Sequence, residues 1–340
     1  MSAEASPRSM TGKPKDRSKS KSKPKDSKKS KKGNPSKGYS GQDEEQEDYS
    51  VLESLLRNLY ASIWELLSRV AVMDIQILSD LHLESPKAYD LYNIPPKASY
   101  LALLGDIGNV VAHKDDILSF LTRHLRQFKA ILFVPGNHEA YHSSWAETMA
   151  VLREFEEQVE RDGSLGQFAV LDRGTYRPPG LDTVILGCSL FSHVPKERGM
   201  AVEMGVNDFF LIKDWTVADH NNAHQRDLSW LNDEVAMLEG QCTTTNIIIL
   251  THWSPSQLPA VTDPKHIGSP ITSGFSTNLV DERCFTSYKV KTWAFGHTHY
   301  NCHVEMEREN GAGMLRLLAN QRGYYFAQAD GFDVGKTIRL

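Results

Sequence analysis

The chain has 340 residues, 40% hydrophobic and 24% charged, an ordinary soluble composition with apolar material for a substantial core in one large domain or two. The formal charge of −5 is uneven: residues 1–40 hold thirteen Lys/Arg against Glu4, Asp16 and Asp26, a net of +10, which leaves −15 for the remaining 300. Four cysteines without a Cys-x-x-Cys pair argue against a disulfide framework and suit an intracellular, cytoplasmic protein, and the polar first residues argue against a signal peptide.

Residues 1–50 read as a tail. Lys, Ser, Pro and Gly dominate residues 1–40, where Tyr39 is the one aromatic, and the acidic run Asp43–Asp48 follows. Such a segment cannot bury enough surface to offset its ordering entropy, so it is expected to be disordered. A solvated tail competes with a nuclear-localisation or polyanion-binding patch, including nucleic acid; no aromatics alternate with the lysines, so base stacking is unsupported. Residues 51–72 are expected to form an amphipathic helix, with Leu52, Leu55, Leu56, Leu59, Ile63, Leu66, Leu67 and Val70 at three- and four-residue steps. Glu53, Arg57, Glu65 and Arg69 make it a poor spanning helix, so no membrane span is expected.

From residue 73 to 340 short apolar runs alternate with helical stretches. Strands are predicted at Ile75–Leu78, Leu101–Leu104, Ala130–Val134, Thr183–Leu186, Ile247–Leu250, Trp293–Phe295 and Leu315–Leu318. Helices are predicted at Asp116–Gln127, Trp145–Arg161 and Asn222–Leu238. That alternation implies an α/β sandwich rather than an all-α or all-β body.

Five of the strands end alike. They run into Ser79-Asp80-Leu81-His82, Gly105-Asp106, Pro135-Gly136-Asn137-His138-Glu139, Thr251-His252 and Gly296-His297-Thr298-His299. In α/β folds ligands bind beyond the carboxyl ends of strands, so five such ends on one sheet edge converge. Each piece alone is weak; a lone His after a strand is more often a hydrogen-bonded structural residue. Together, a buried cluster of His and Asp costs several kcal/mol without a cation to resolve it. Asp80, His82, Asp106, Asn137, His252, His297 and His299 exceed one four-coordinate site. They suit two divalent ions about 3.5–4 Å apart sharing a carboxylate, and oxygen and nitrogen donors without thiolate favour Mn, Fe or Zn.

These five blocks, in this order, resemble the calcineurin-like metallophosphoesterase superfamily over about Met73 to the C-terminus. The resemblance implies a four-layer α/β/β/α sandwich of two mixed β-sheets flanked by helices. It implies that Asp80, His82 and His299 hold one metal, that Asn137, His252 and His297 hold the other, that Asp106 bridges them, and that His138 faces the substrate. The protein Ser/Thr phosphatase branch looks like Gly-Asp-x-x-Asp-Arg-Gly at the second block. Here the run is Gly105-Asp106-Ile107-Gly108-Asn109-Val110, with Asn109 where that branch has the Asp partnering the catalytic His. This chain is more similar to bacterial and fungal members than to a true Ser/Thr protein phosphatase, and Asn109 is expected to support a protonated His138 less well than Asp would.

The expected reaction is metal-dependent hydrolysis of a small phosphomonoester or phosphodiester by a metal-bridging hydroxide, with His138 protonating the leaving alkoxide. A non-catalytic metal-bound scaffold, a nuclease and a cyclic nucleotide phosphodiesterase are the alternatives. All seven ligand positions being filled argues against the scaffold, and the acidic body against long polyanions. Arg322 either reaches a substrate phosphate or packs. Tyr141 and His142 are candidate pocket residues, and Asp208, Asp214 and His220 lie in a polar stretch suited to a lid or a plain loop.

Overall fold

The computed structural model describes residues 74–308 and 311–339, together with Leu56, Arg57, Leu59 and Tyr60. The chain divides into two units, Met1–Leu67 and Ser68–Leu340. In the first, those four residues are helical. The tail at residues 1–50 and the other residues of the helix expected at 51–72 lie outside the described residues.

In the second unit β1 (Asp74–Leu78), β2 (Tyr100–Leu104), β3 (Ala130–Val134) and β4 (Gln167–Val170) run parallel. A second sheet takes β5 (Gly174–Tyr176), β6 (Thr183–Cys188), β7 (Asn246–Thr251), β8 (Val290–Phe295), β9 (Cys302–Glu307) and β10 (Met314–Ala319) in the order β5-β6-β7-β8-β10-β9. Its centre is parallel and its two edge strands are antiparallel. After a hairpin of β11 (Gly323–Tyr324) and β12 (Ala327–Gln328), β13 (Thr337–Arg339) closes the first sheet antiparallel to β1. Both sheets are therefore mixed.

The central strands are unbroken apolar runs, the pattern of strands covered on both faces. Alternation then divides each between two cores. Ile75, Ile77, Ala102, Leu104, Leu132 and Val134 meet Ile185, Ile248, Leu250, Ala294 and Leu318 of the other sheet. Leu101, Leu103, Ile131 and Phe133 turn the other way, onto Ile117, Phe120 and Leu121 of α1 (Lys114–Leu125) and Leu152, Phe155 and Val159 of α2 (Trp145–Asp162). Val184, Leu186, Ile247, Ile249, Trp293 and Phe295 pack on Ala223, Leu231, Val235 and Leu238 of α3 (Val217–Glu239). Three apolar layers thus separate four structural ones, the expected α/β/β/α sandwich.

Two helices start at capping boxes, Ser144 with Glu147 for α2 and Thr216 with Asp219 for α3. The second explains a difference from the expected Asn222 start: α3 begins at Val217, and its polar first turn hides the apolar period. No described helix is long and apolar enough to cross a membrane.

Candidate metal centre

The loops after β1, β2, β3, β7 and β8 meet at one edge of the sandwich. Asp80 Oδ1 lies 3.2 Å from His299 Nε2 and 4.0 Å from His82 Nε2, and those two Nε2 atoms are 2.9 Å apart. His252 Nε2 lies 3.3 Å from Asp106 Oδ1 and 3.0 Å from Asn137 Oδ1. The second oxygen of Asp106 points the other way, 3.9 Å from His82 Nε2. Donor atoms of Asp80, His82 and His299 fall within 4.8 Å of one another, as do those of Asp106, His252 and His297. The two groups adjoin, and Asp106 reaches into both.

The backbone bends unusually to achieve this. Asp80, His82, Asp106, His297 and His299 all have positive φ, between 47° and 70°. Left-handed backbone is uncommon outside glycine and costs of order 1–3 kcal/mol per residue, so five such residues at one locus mark a place where side-chain aim outweighs local comfort. Two glycines give the clearance. A Cβ on Gly136 would sit 2.4 Å from Asp106 Oδ1, and one on Gly296 would sit 2.1 Å from Ser79 Oγ and 2.7 Å from Asp80 Oδ2.

A second layer of hydrogen bonds orients the donors. His252 Nδ1 is 2.7 Å from the Leu104 carbonyl, which only accepts, so Nδ1 carries a proton and Nε2 is the nitrogen that faces inward. His82 Nδ1 faces the Glu84 carboxylate at 3.3 Å with the same result. Asn137 donates its amide to Asp208 at 2.7 Å and to Tyr141 Oη at 3.0 Å, which turns its Oδ1 toward His252. Asp80 accepts from Ser79 Oγ at 2.5 Å and from the His297 N–H at 3.1 Å. Buried Glu139 accepts the N–H groups of Asp106, Ile107, Gly108 and Gly136, tying the β2 and β3 loops together. Gln321 holds the His299 N–H at 2.5 Å.

Burial alone would raise both carboxyls. His299 beside Asp80, and His252 and His138 beside Asp106, hold them below the usual carboxylate range, so both stay anionic. Burial and the His252 charge push His297 well below the usual imidazole range and keep it neutral. Its Nε2 is buried without a hydrogen-bond partner, a state costing about 1–3 kcal/mol for a polar atom. His297 offers one ring nitrogen to the group it forms with Asp106 and His252, and such a set of oxygen and nitrogen donors is what a divalent ion coordinates. The donor set fits a metal.

His138 lies beside the metal residues. Burial would lower its pKa, but the Asp106 charge and the Glu84 hydrogen bond raise it to about 9. Its Nδ1 is 2.7 Å from Glu84 Oε1, and its Nε2 is 3.4 Å from Tyr324 Oη. Asn109 donates its amide to the His138 backbone carbonyl at 2.8 Å, and a carboxylate at the ring comes from the β1 loop.

Of the residues left open by the sequence, Tyr141 lines the pocket and Asp208 is buried behind Asn137. Arg322 is a packing residue: it donates to the Leu81 carbonyl at 2.8 Å and lies over the Tyr92 and Tyr325 rings. His220 is buried against Ser192, His142 is exposed, and Asp214 has positive φ outside the cluster. Glu84, Glu139, Gln321 and Tyr324 were not singled out by spacing. Each lies within a few residues of a candidate ligand or in the run after β10, and their roles emerge only from contacts across the fold.

A family model described as calcineurin-like phosphoesterase matches residues 73–301. The chain belongs to this family. As a calcineurin-like phosphoesterase it is 25% identical over 273 residues to uncharacterized protein L509 of Acanthamoeba polyphaga mimivirus, covering 74% of this chain and 91% of that protein. Its fold is similar to phosphopantetheinyl hydrolase (PptH) from Mycobacterium tuberculosis, with a TM-score of 0.55 and 18% identity, over 75% of this chain and 90% of the other. TT1561 of Thermus thermophilus aligns with a TM-score of 0.43 and 13% identity, over 79% and 99%. Membership of this family and the His/Asp clusters together make this a metal-binding hydrolase of the phosphoesterase type.

Proposed function

We propose that the chain hydrolyses a small phosphomonoester or phosphodiester at a dinuclear centre. In this reading Asp80, His82 and His299 hold one ion, Asn137, His252 and His297 hold the other, and Asp106 bridges them. The observation that carries it is the convergence of these donors into two adjoining groups that Asp106 reaches from either oxygen. Divalent ions such as Mn, Fe or Zn, when bound, supply Lewis acidity toward phosphoryl oxygens and lower the pKa of water.

The side chains supply the rest. Asp80 and Asp106, anionic and buried, offset part of the charge of two divalent ions. His138 opens on the pocket and donates its Nε2 proton to the departing alkoxide. The Tyr324 hydroxyl, kept protonated by burial and by the charges of Asp106 and Asp80, offers a hydrogen bond at the same place.

The pocket supports a small substrate. It encloses about 670 Å³, and its lining holds one Lys, Lys265, paired to Asp263 at 2.7 Å, and no Arg. A polyphosphate or a long nucleic acid calls for several unpaired cations; one phosphoryl group on a polar alcohol does not. The basic tail remains the one polyanion-attracting segment of the sequence.

The test is a panel of p-nitrophenyl phosphate, its bis ester, cyclic nucleotides, single-stranded DNA and a phosphopantetheinyl ester, each with Mn²⁺ and with chelator. We expect chelator-sensitive turnover on one or both aryl esters. Metal bound without turnover on any member would favour the scaffold alternative.

A further inference from the structure

Resting on the reading of His138 as proton donor, we propose that Glu84 is the positioning residue for His138, one carboxylate oxygen holding that ring and the neighbouring His82 ring together. Glu84 Oε1 lies 2.7 Å from His138 Nδ1 and 3.3 Å from His82 Nδ1. The Glu84 and His138 side chains are each 9% exposed, so water competes little for the contact. The two imidazoles stand edge to face with centroids 4.3 Å apart, a geometry that a shared acceptor between their Nδ1 atoms fixes.

Two further contacts fix what the acceptor leaves free. Tyr141 packs on His138 at 4.2 Å between centroids, and the Tyr324 hydroxyl meets Nε2. With Nδ1–H held by Glu84, Nε2 is the nitrogen presented to the pocket. No other described carboxylate lies within 4 Å of Nδ1, and Asn109 is spent on the backbone carbonyl. The cluster of His82, Glu84 and His138 also has the spacing of a metal site. Both Nδ1 atoms converge on one carboxylate oxygen at hydrogen-bond distance, which favours proton donation over coordination.

The experiment compares Glu84→Ala and Glu84→Gln with wild type and His138→Ala in the metal-loaded full chain, using phosphate esters of rising leaving-group pKa. We expect Glu84→Ala, assayed at saturating metal because Glu84 also orients His82, to lower kcat about 100-fold on an alkyl ester and less than about threefold on a nitrophenyl ester, at unchanged KM. Glu84→Gln, which keeps an oxygen at the same reach, recovers most of the loss. A uniform loss on all esters at saturating metal overturns the proposal. The second readout does not use turnover: ¹⁵N-histidine NMR of the zinc-loaded chain, with His138 assigned by its absence in His138→Ala. We expect an exchange-protected Nδ1–H in wild type that disappears in Glu84→Ala; an unchanged signal overturns the proposal. A wild type inactive on every ester sinks the proposed function, while the NMR still decides the placement of the ring.

Discussion

At His297 the imidazole sits between Trp253 and Phe275, with ring centroids 4.6 Å and 4.9 Å away, so its aim is fixed by packing. His297→Ala removes a donor and leaves the wall intact; we expect a lost ion, measurable by elemental analysis, together with activity. Asp106→Asn should do the same, because its two oxygens serve both groups. His138→Ala should lower turnover about 100-fold or more with metal content retained, since its side chain belongs to neither donor group. A titration elsewhere is separable from the metals. Burial, then the charge of His224, lowers His220 to about 3, and its Nε2 accepts from the Ser192 N–H. An unfolded chain therefore binds a proton there before the folded one does, so this contribution to stability is complete above about pH 6.5 and is lost as pH falls toward 3. Between about pH 6.5 and 5 that amounts to about 2 kcal/mol. Thermal melts of His220→Phe should show a correspondingly flatter pH dependence, and an unchanged slope would disprove the assignment.

Among the elements, the strands of the parallel cores were legible and the edges were not. β3 matches its expected span, β1 and β2 start one residue earlier, and β7 is one residue longer at each end. A run buried on both faces carries its signal in every residue. β9 alternates exposed residues such as His303 and Glu305 with half-buried ones such as Val304 and Met306, and β4 and β13 are four and three residues long; each is too short or too polar to stand out, and their partners fix them. The helix starts turn on caps. Ser144 accepts from the Glu147 N–H, while Glu147 accepts from Ser144. Ser144→Ala should cost about 1 kcal/mol in denaturant unfolding; no change would mean that tertiary packing alone sets the start of α2.

For the whole molecule, the candidate residues that converge were legible because each follows the end of a strand. The supports were not. Glu84, Asp208 and Gln321 act through partners 54, 71 and 22 residues away, and no local pattern announces such pairings. The seven donors come from five loops, so the centre couples both sheets, and metal binding should stabilise the sandwich as a unit. Metal at roughly 100-fold its Kd adds about 2.7 kcal/mol, so chelation should lower Tm by roughly 5–10 °C. The most direct measurement is elemental analysis of the purified chain after loading with Mn²⁺ and removal of excess ion, beside Asp106→Asn. Two ions per chain in the wild type, and fewer than one in the variant, is the result the dinuclear account predicts. A wild type that retains none, or a variant that retains both, would contradict it.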